Sequence, residues 1–197
     1  RWGEAAVVYG LGLLGQLMVR FCRLCGARPV IAVDIADARL QRLPQDAAIV
    51  PVNATREDVP ALVKEVTRGR MADVAFEVSG DPQAIPGEFQ SLRRQGRLVM
   101  LSSPRGPTPF DFHDLCNSPS FTIIGAHNSS HPPQETLDNP WTNKRHAELF
   151  FDLVADGEVQ LEPLISHREP YTEAPRLYQM LLRDRTPMMG VILTWDR

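Results

Sequence analysis

Up to about position 100, short apolar runs alternate with stretches whose apolar residues recur every three or four positions. This is the pattern of a parallel sheet with helices on both faces. Ala5 to Tyr9, Val30 to Asp34, Ile49 to Val52 and Ala72 to Ser79 read as strands, separated by helices over Leu13 to Cys25, Ala36 to Arg42 and Asp58 to Arg68. The run Val74, Ala75, Phe76, Val78 suits a central strand buried on both faces. Gly26 is placed to cap the first long helix in a left-handed conformation. After Asp81-Pro82, the pair Pro86-Gly87 would break a helix begun there, so a helix is expected from near Pro86 to Arg94. Gln95-Gly96 then turns the chain into a strand over Arg97 to Ser102, and Phe121 to Ala126 is the last strand of this half.

Beyond it the pattern changes. His127 to Thr142 is polar and contains prolines, the profile of a boundary or functional loop. A helix over Asn143 to Asp156, a strand over Leu161 to Ser166, a helix over Thr172 to Arg183 and a strand over Val191 to Trp195 follow. The fold class is therefore α/β: a Rossmann doubly wound parallel sheet over residues 1–127, plus a C-terminal α/β extension over 128–197.

Composition narrows the function classes. In 197 residues, 21 basic against 24 acidic side chains leave a net charge of -3 without any block of like charge, so nucleic acid is not an expected partner. No stretch reaches the roughly 18 apolar residues of a membrane span and no leader pattern precedes the first strand, so a cytoplasmic protein without a membrane partner is expected. Cys22, Cys25 and Cys116 form neither a disulfide framework nor a four-ligand zinc spacing. Cys22 and Cys25 fall within an apolar helical stripe with Leu14, Leu17, Met18, Phe21 and Leu24, and read as core packing.

The chemistry-bearing motif is Gly10-Leu11-Gly12-Leu13-Leu14-Gly15, directly after a predicted strand and opening a predicted helix. Gly10 permits the tight turn, Gly12 lets the backbone approach a diphosphate, and Gly15 lets the helix pack close to the strand. The N–H groups of the helix start, at Leu13 and Leu14, face the anion. Asp34 ends the second strand 19 residues after Gly15, where a carboxylate accepts from the hydroxyls of an adenosine ribose and repels a 2′-phosphate. NAD is favoured over NADP. Arg39 is placed either over the adenine face or on a solvated helix surface.

At this point the residues resemble the medium-chain dehydrogenase/reductase family of alcohol, polyol and threonine dehydrogenases. The likeness rests on the segments beginning at Val8, Val30, Ala75 and Gly96, and on the tail: Leu-Glu-Pro-Leu-Ile-Ser-His-Arg from Leu161, Glu-Ala-Pro from Glu173 and Gly-Val-Ile-Leu-Thr-Trp from Gly190. The resemblance implies that the nicotinamide and its ribose rest against Val78, Ser79 and Gly80, with the carboxamide held by backbone groups at Leu101, Ala126 and Asn128. Where some members carry a phosphate-binding arginine this chain has Met189-Gly190, so the tail is not expected to reach the diphosphate.

The resemblance also implies an N-terminal domain that supplies the catalytic zinc and most of the substrate pocket. It is absent from this sequence, which is expected to be a fragment unable to catalyse alone, with zinc only in the missing part. His127 and His131 have the only metal-like spacing, but Pro132-Pro133 argues against the helix such a pair needs, and they read as polar loop residues or a substrate contact. The expected parent is an NAD-dependent zinc-type oxidoreductase acting on an alcohol or polyol. The alternatives are a zinc-independent quinone or enoyl reductase, disfavoured by Asp34, and a non-catalytic NAD-sensing module, disfavoured by the tail. Family analogy implies a homodimer through the 108–126 edge, where Phe110, Phe112, Phe121, Ile123 and Ile124 form either a subunit surface or core packing.

Overall fold

The computed structural model describes residues 1–195. Six parallel strands form one sheet in the order β3-β2-β1-β4-β5-β6: β1 Ala6–Tyr9, β2 Val30–Asp34, β3 Ile49–Asn53, β4 Ala72–Glu77, β5 Leu92–Met100 and β6 Thr122–Gly125. The order reverses between β1 and β4, which opens a crevice at the carboxyl ends of those two strands.

Side chains along each strand alternate between two cores. Val7, Ile31, Val33, Ala75 and Leu98 pack on one face with Val59 and Val63 of α3 (Val59–Val66) and with Ile85 and Phe89. Ala6, Val8, Val30, Ala32 and Val74 pack on the other with Val19 and Cys22 of α1 (Leu13–Leu24). With both faces covered, β1 and β2 carry apolar residues at nearly every position, as internal parallel strands do.

Several boundaries differ from the sequence expectation. The helix expected over 86–94 is only α4, Ile85–Glu88, with a 3-10 turn Phe89–Ser91, and β5 already begins at Leu92. The turn at Gln95-Gly96 is instead a bulge inside the strand: Ala72 pairs with Leu92 but Val74 with Arg97. α2 is a single turn, Asp37–Leu40. Cys25 lies just past the end of α1 and is exposed, while Cys22 is buried. The buried stripe of α1 is Gly15, Gln16, Val19, Arg20 and Cys22, so two polar residues occupy the face expected to be apolar. They are satisfied there. Gln16 Nε2 donates to the Arg39 carbonyl at 2.8 Å, and Arg20 donates to the Gln16 carbonyl and to the Arg42 carbonyl, fastening α1 to the segment after β2.

The C-terminal part contributes α5 (Asn143–Ala155), α6 (Ala174–Arg183) and a separate parallel pair, β7 (Ile165–Pro170) with β8 (Gly190–Thr194). β7 starts four residues later than expected because Glu162–Leu164 forms a 3-10 turn around Pro163. Among the described residues no helix is long and apolar enough to cross a membrane.

Candidate functional site

A cleft of about 570 Å³ lies over the carboxyl ends of β1, β2 and β4. One side is the turn between β1 and α1. Gly10 has φ +90, and a Cβ there would sit 2.7 Å from the Ser79 backbone, so the turns after β1 and β4 touch back to back. A Cβ on Gly15 would lie 1.8 Å from the Gly10 carbonyl oxygen, so this residue sets how closely α1 approaches the turn. A Cβ on Gly12 would meet nothing within 4 Å; the space it would enter is the cleft itself.

Gly12 is the N-cap of α1 and supplies no side-chain cap, and the first internal bond runs from the Gln16 N–H to the Gly12 carbonyl. The N–H groups of Leu13, Leu14 and Gly15 precede it, together with the positive end of a twelve-residue helix. This is the chemistry of an anion cradle. Leu13 lines the cleft; Leu14 and Gly15 are not part of its wall.

Asp34 is buried at the end of β2. Its Oδ2 accepts from the Leu11 N–H at 2.7 Å and from Arg39 at 3.3 Å, and its Oδ1 accepts from the Ala36 N–H at 2.9 Å. The carboxylate thus ties the glycine turn to the β2 end while facing the cleft. Arg39 is neither free nor solvated. It pairs with Asp34 and its Nε has no partner among the described residues, so an unsatisfied donor is held beside the carboxylate.

Across the cleft, Val78, Ser79 and Gly80 lie just past β4, which ends at Glu77, two residues short of the Ser79 expected from sequence. They are anchored by Glu77, a fully buried carboxylate in a central strand. Its Oε1 accepts from the Ser79 N–H at 2.7 Å, the Ser79 hydroxyl at 2.7 Å and the Gly80 N–H at 2.8 Å, and its Oε2 accepts from the Ser102 hydroxyl. Sequence reasoning assigned Glu77 no role, although a charged residue inside the run Ala-Phe-Glu-Val was the available signal.

Leu101, Ala126 and Asn128 lie farther along the strand ends and are not part of the cleft wall. The Leu101 N–H donates to the Glu77 carbonyl and the Ala126 N–H to the Met100 carbonyl, which continues the row of strand ends beyond β4. Asn128 opens a 3-10 turn, Asn128–Ser130. Other wall residues were not foreseen: Tyr9, Ile35, Asp81, Ala84, Glu88 and Arg105 from the sheet domain, and Leu181, Arg185 and Met188 from the tail. The tail therefore does reach the cleft, through Arg185 rather than through the Met189-Gly190 position.

His127 and His131 do not converge on a metal. His127 Nδ1 pairs with the Ser129 hydroxyl, while His131 packs against His146, which stacks on Trp141. Among the described residues no group of three or more His, Cys, Asp or Glu side chains is arranged to hold a metal ion.

The decisive comparison is with family models: residues 14–141 match the model described as zinc-binding dehydrogenase. The chain belongs to that family. An L-threonine 3-dehydrogenase of Chromobacterium violaceum is 31% identical over 195 residues, covering 98% of this chain and 52% of that protein. One from Caldanaerobacter subterraneus subsp. tengcongensis is 27% identical over 185 residues, covering 92% and 49%. The chain spans about half the length of the curated relatives it matches. Among solved structures, the 2R,3R-butanediol dehydrogenase of Bacillus subtilis aligns over all of this chain and 52% of its own, with a TM-score of 0.78 and 21% identity. An E. coli alcohol dehydrogenase solved with NADH aligns with a TM-score of 0.79 and 17% identity, covering 98% of this chain and 52% of its own. These likenesses to solved structures establish the Rossmann-type fold of this zinc-binding dehydrogenase chain.

Proposed function

We propose that this chain is the cofactor-holding half of an NAD-dependent oxidoreductase that moves a hydride between an alcohol or polyol carbon and a nicotinamide. The observation that carries the reading is the convergence, in one cleft, of an uncapped helix start behind Gly10 and Gly12 with a buried carboxylate, Asp34, at the neighbouring strand end.

When bound, the nicotinamide accepts or returns the hydride. The residues of this chain bind and orient. The N–H groups at Leu13 and Leu14 receive the diphosphate, with Arg185 as a nearby cation. Asp34 takes the hydroxyls of the adenosine ribose on the acceptor capacity left by its backbone donors, and Arg39 holds the carboxylate in place. Ser79 and Gly80, fixed by Glu77, support the second ribose, and the backbone at Leu101, Ala126 and Asn128 holds the carboxamide. A carboxylate at the ribose repels the extra phosphate of NADP.

The metal implied by the family name finds no donor set among the described residues, and no step is assigned to it. The alcohol class follows from relatives named for L-threonine and butanediol. Three unpaired cysteines fit the reducing cytoplasm. Exposed Phe112, Ile123 and Ile124 along the β6 edge suit pairing with a second copy, whereas Phe110 and Phe121 pack on Phe89 and serve the core.

Fluorescence titration tests the reading: NADH binds, and Asp34→Ala weakens NADH more than NADPH. Equal binding of the two cofactors by the parent chain, or binding of neither, would overturn it.

A further inference from the structure

Glu88, the last residue of α4, is 1% exposed, and neither of its carboxyl oxygens has a hydrogen-bond partner among the described residues. It is nevertheless part of the cleft wall. An unpartnered buried carboxyl is costly, and no neighbouring group among the described residues satisfies it. Tyr9, from the end of β1, shares its hydroxyl with Ser91 at 2.5 Å. From β4, Glu77 is saturated by the Ser79, Gly80 and Ser102 donors. α3 presents only apolar residues, Val59 and Val63, to this core. Asp81 adds a second negative charge, and the cations that line the cleft, Arg39, Arg105 and Arg185, form no ion pair with Glu88.

Burial, with Glu77 and Asp81 nearby, pushes the Glu88 carboxyl up to about 9, so at neutral pH it is an uncharged acid. Such a group offers an O–H donor and a carbonyl acceptor side by side. That pair is complementary to the edge of an aminopurine, where a ring nitrogen accepts and the adjacent amino group donates.

The position agrees. Asp34 marks the ribose at the end of β2, and the diphosphate lies toward α1. Tyr9 belongs with Val7 and Val33 to the sheet face opposite α1, and a base attached to that ribose and directed away from the diphosphate runs onto this face. Ile35, 70% exposed beside Asp34, and Pro82 and Ala84 across the cleft give a flat ring two apolar walls.

We propose that Glu88 reads the purine edge of the bound dinucleotide, donating its carboxyl proton to a ring nitrogen and accepting from the exocyclic amino group. This rests on the dinucleotide reading above. The ionised form has no proton to donate and sets a negative charge against the ring nitrogen's lone pair, so binding weakens when the acid ionises.

The test titrates the 197-residue chain with NADH and with ADP-ribose, which lacks the nicotinamide. Glu88→Ala should weaken both ligands about tenfold at neutral pH, the cost of leaving a buried polar edge unpaired. Glu88→Gln keeps a donor beside an acceptor and should bind within about threefold of the parent. Raising the pH from about 7 to about 10 should cost the parent about tenfold in affinity and leave Glu88→Gln unchanged. Equal affinities in the parent and Glu88→Ala, or the same pH profile in the parent and Glu88→Gln, would overturn the assignment of Glu88 alone. Failure of the parent to bind either ligand would instead overturn the dinucleotide reading and this inference with it. A ligand-free readout stands beside these: the infrared carbonyl band of a protonated carboxylic acid should be present in the parent at neutral pH and vanish in Glu88→Gln, and its absence from the parent would also overturn the inference.

Discussion

The glycines of the first turn should separate experimentally into one that serves the fold and one that serves the ligand. In Gly15→Ala the new Cβ would lie 1.8 Å from the Gly10 carbonyl oxygen and 2.8 Å from the Gly10 carbonyl carbon, both rigid backbone atoms. Ordinary contact needs about 3.4 Å or more, so α1 and the turn must part by well over an ångström. Overpacking usually costs about 1–3 kcal/mol, and a clash with backbone on both sides belongs at the upper end, about 3 kcal/mol. In a chain of this length that is a fall of about 6–12 °C in Tm. In Gly12→Ala the Cβ meets no atom within 4 Å, and the φ of -64 is one that alanine adopts freely. Its stability should stay within about 0.5 kcal/mol of the parent. The methyl group nevertheless occupies the path by which a diphosphate reaches the Leu13 and Leu14 N–H groups, so NADH affinity should fall by about tenfold or more. Urea melts and NADH titrations on both variants decide the matter. A Gly15→Ala chain as stable as the parent would refute the packing argument, and a Gly12→Ala chain that binds NADH normally would refute the placement of the diphosphate.

Three further outcomes can be measured on the same protein. Replacing Glu77 with Ala removes the acceptor serving Ser79, Gly80 and Ser102 and leaves buried donors unpaired; it should cost at least about 2 kcal/mol in a urea melt and weaken NADH, and an unchanged melt would contradict the role given to Glu77. The Arg97 guanidinium, bonded to Glu4 at 2.6 Å and 3.1 Å, holds the Glu4 carboxyl down at about 2. A depressed carboxylate contributes stability that is present above its ordinary value of 4.5 and is lost as pH falls toward 2, so Arg97→Met should raise the pH midpoint of acid unfolding and remove about 1 kcal/mol at neutral pH, after allowance for solvent at the pair. Glu88 has the opposite sign. Its raised pKa means that the native state holds the extra proton, so parent stability falls as pH climbs from 4.5 toward about 9, by at most about 1.4 kcal/mol per pH unit, and Glu88→Gln should lack that slope; parallel stability curves would count against it.

The parallel sheet was legible because its evidence is local. β1, β2 and β4 are short, mainly apolar runs bounded by glycine, aspartate and polar residues. The glycine turn and Asp34 were legible for the same reason, since both are fixed by spacing along adjacent elements. What escaped depends on residues distant in sequence. β5 was started too late because Leu92 pairs with Ala72 ahead of a bulge that only the neighbouring strand reveals. Gln16 and Arg20 lie on the buried face of α1, against periodicity, because carbonyls of Gln16 itself, Arg39 and Arg42 satisfy them. Glu88 follows Pro86-Gly87, where the sequence signals only a break, and its burial beside Tyr9 and Ser91 is a product of the fold. Arg185 reaches the cleft from about 150 residues away from Asp34, a contact no local pattern encodes.

The geometry of Asp34 changes what substitution there can reveal. An ionised carboxylate has about four acceptor positions, and three are already taken by the Leu11 and Ala36 N–H groups and by Arg39. One remains open, so a ribose presenting two hydroxyls is met fully only when Arg39, the longest of the three contacts at 3.3 Å, gives up its place. The unpartnered Nε shows that this guanidinium is held by few bonds. Asparagine is not a neutral replacement, because each oxygen already accepts a backbone N–H and the amide nitrogen would oppose one of those donors whichever way it turned. Any change at Asp34 therefore loosens the glycine turn through Leu11 and weakens every dinucleotide to some degree. The part that belongs to the ribose is what differs between NADH and NADPH, since both share the diphosphate and the turn but only NADPH sets a phosphate against the carboxylate. The ratio of the two affinities, rather than either alone, isolates the charge at Asp34 from its structural duty, and Arg39→Ala should move that ratio toward NADH by removing the cation nearest the extra phosphate.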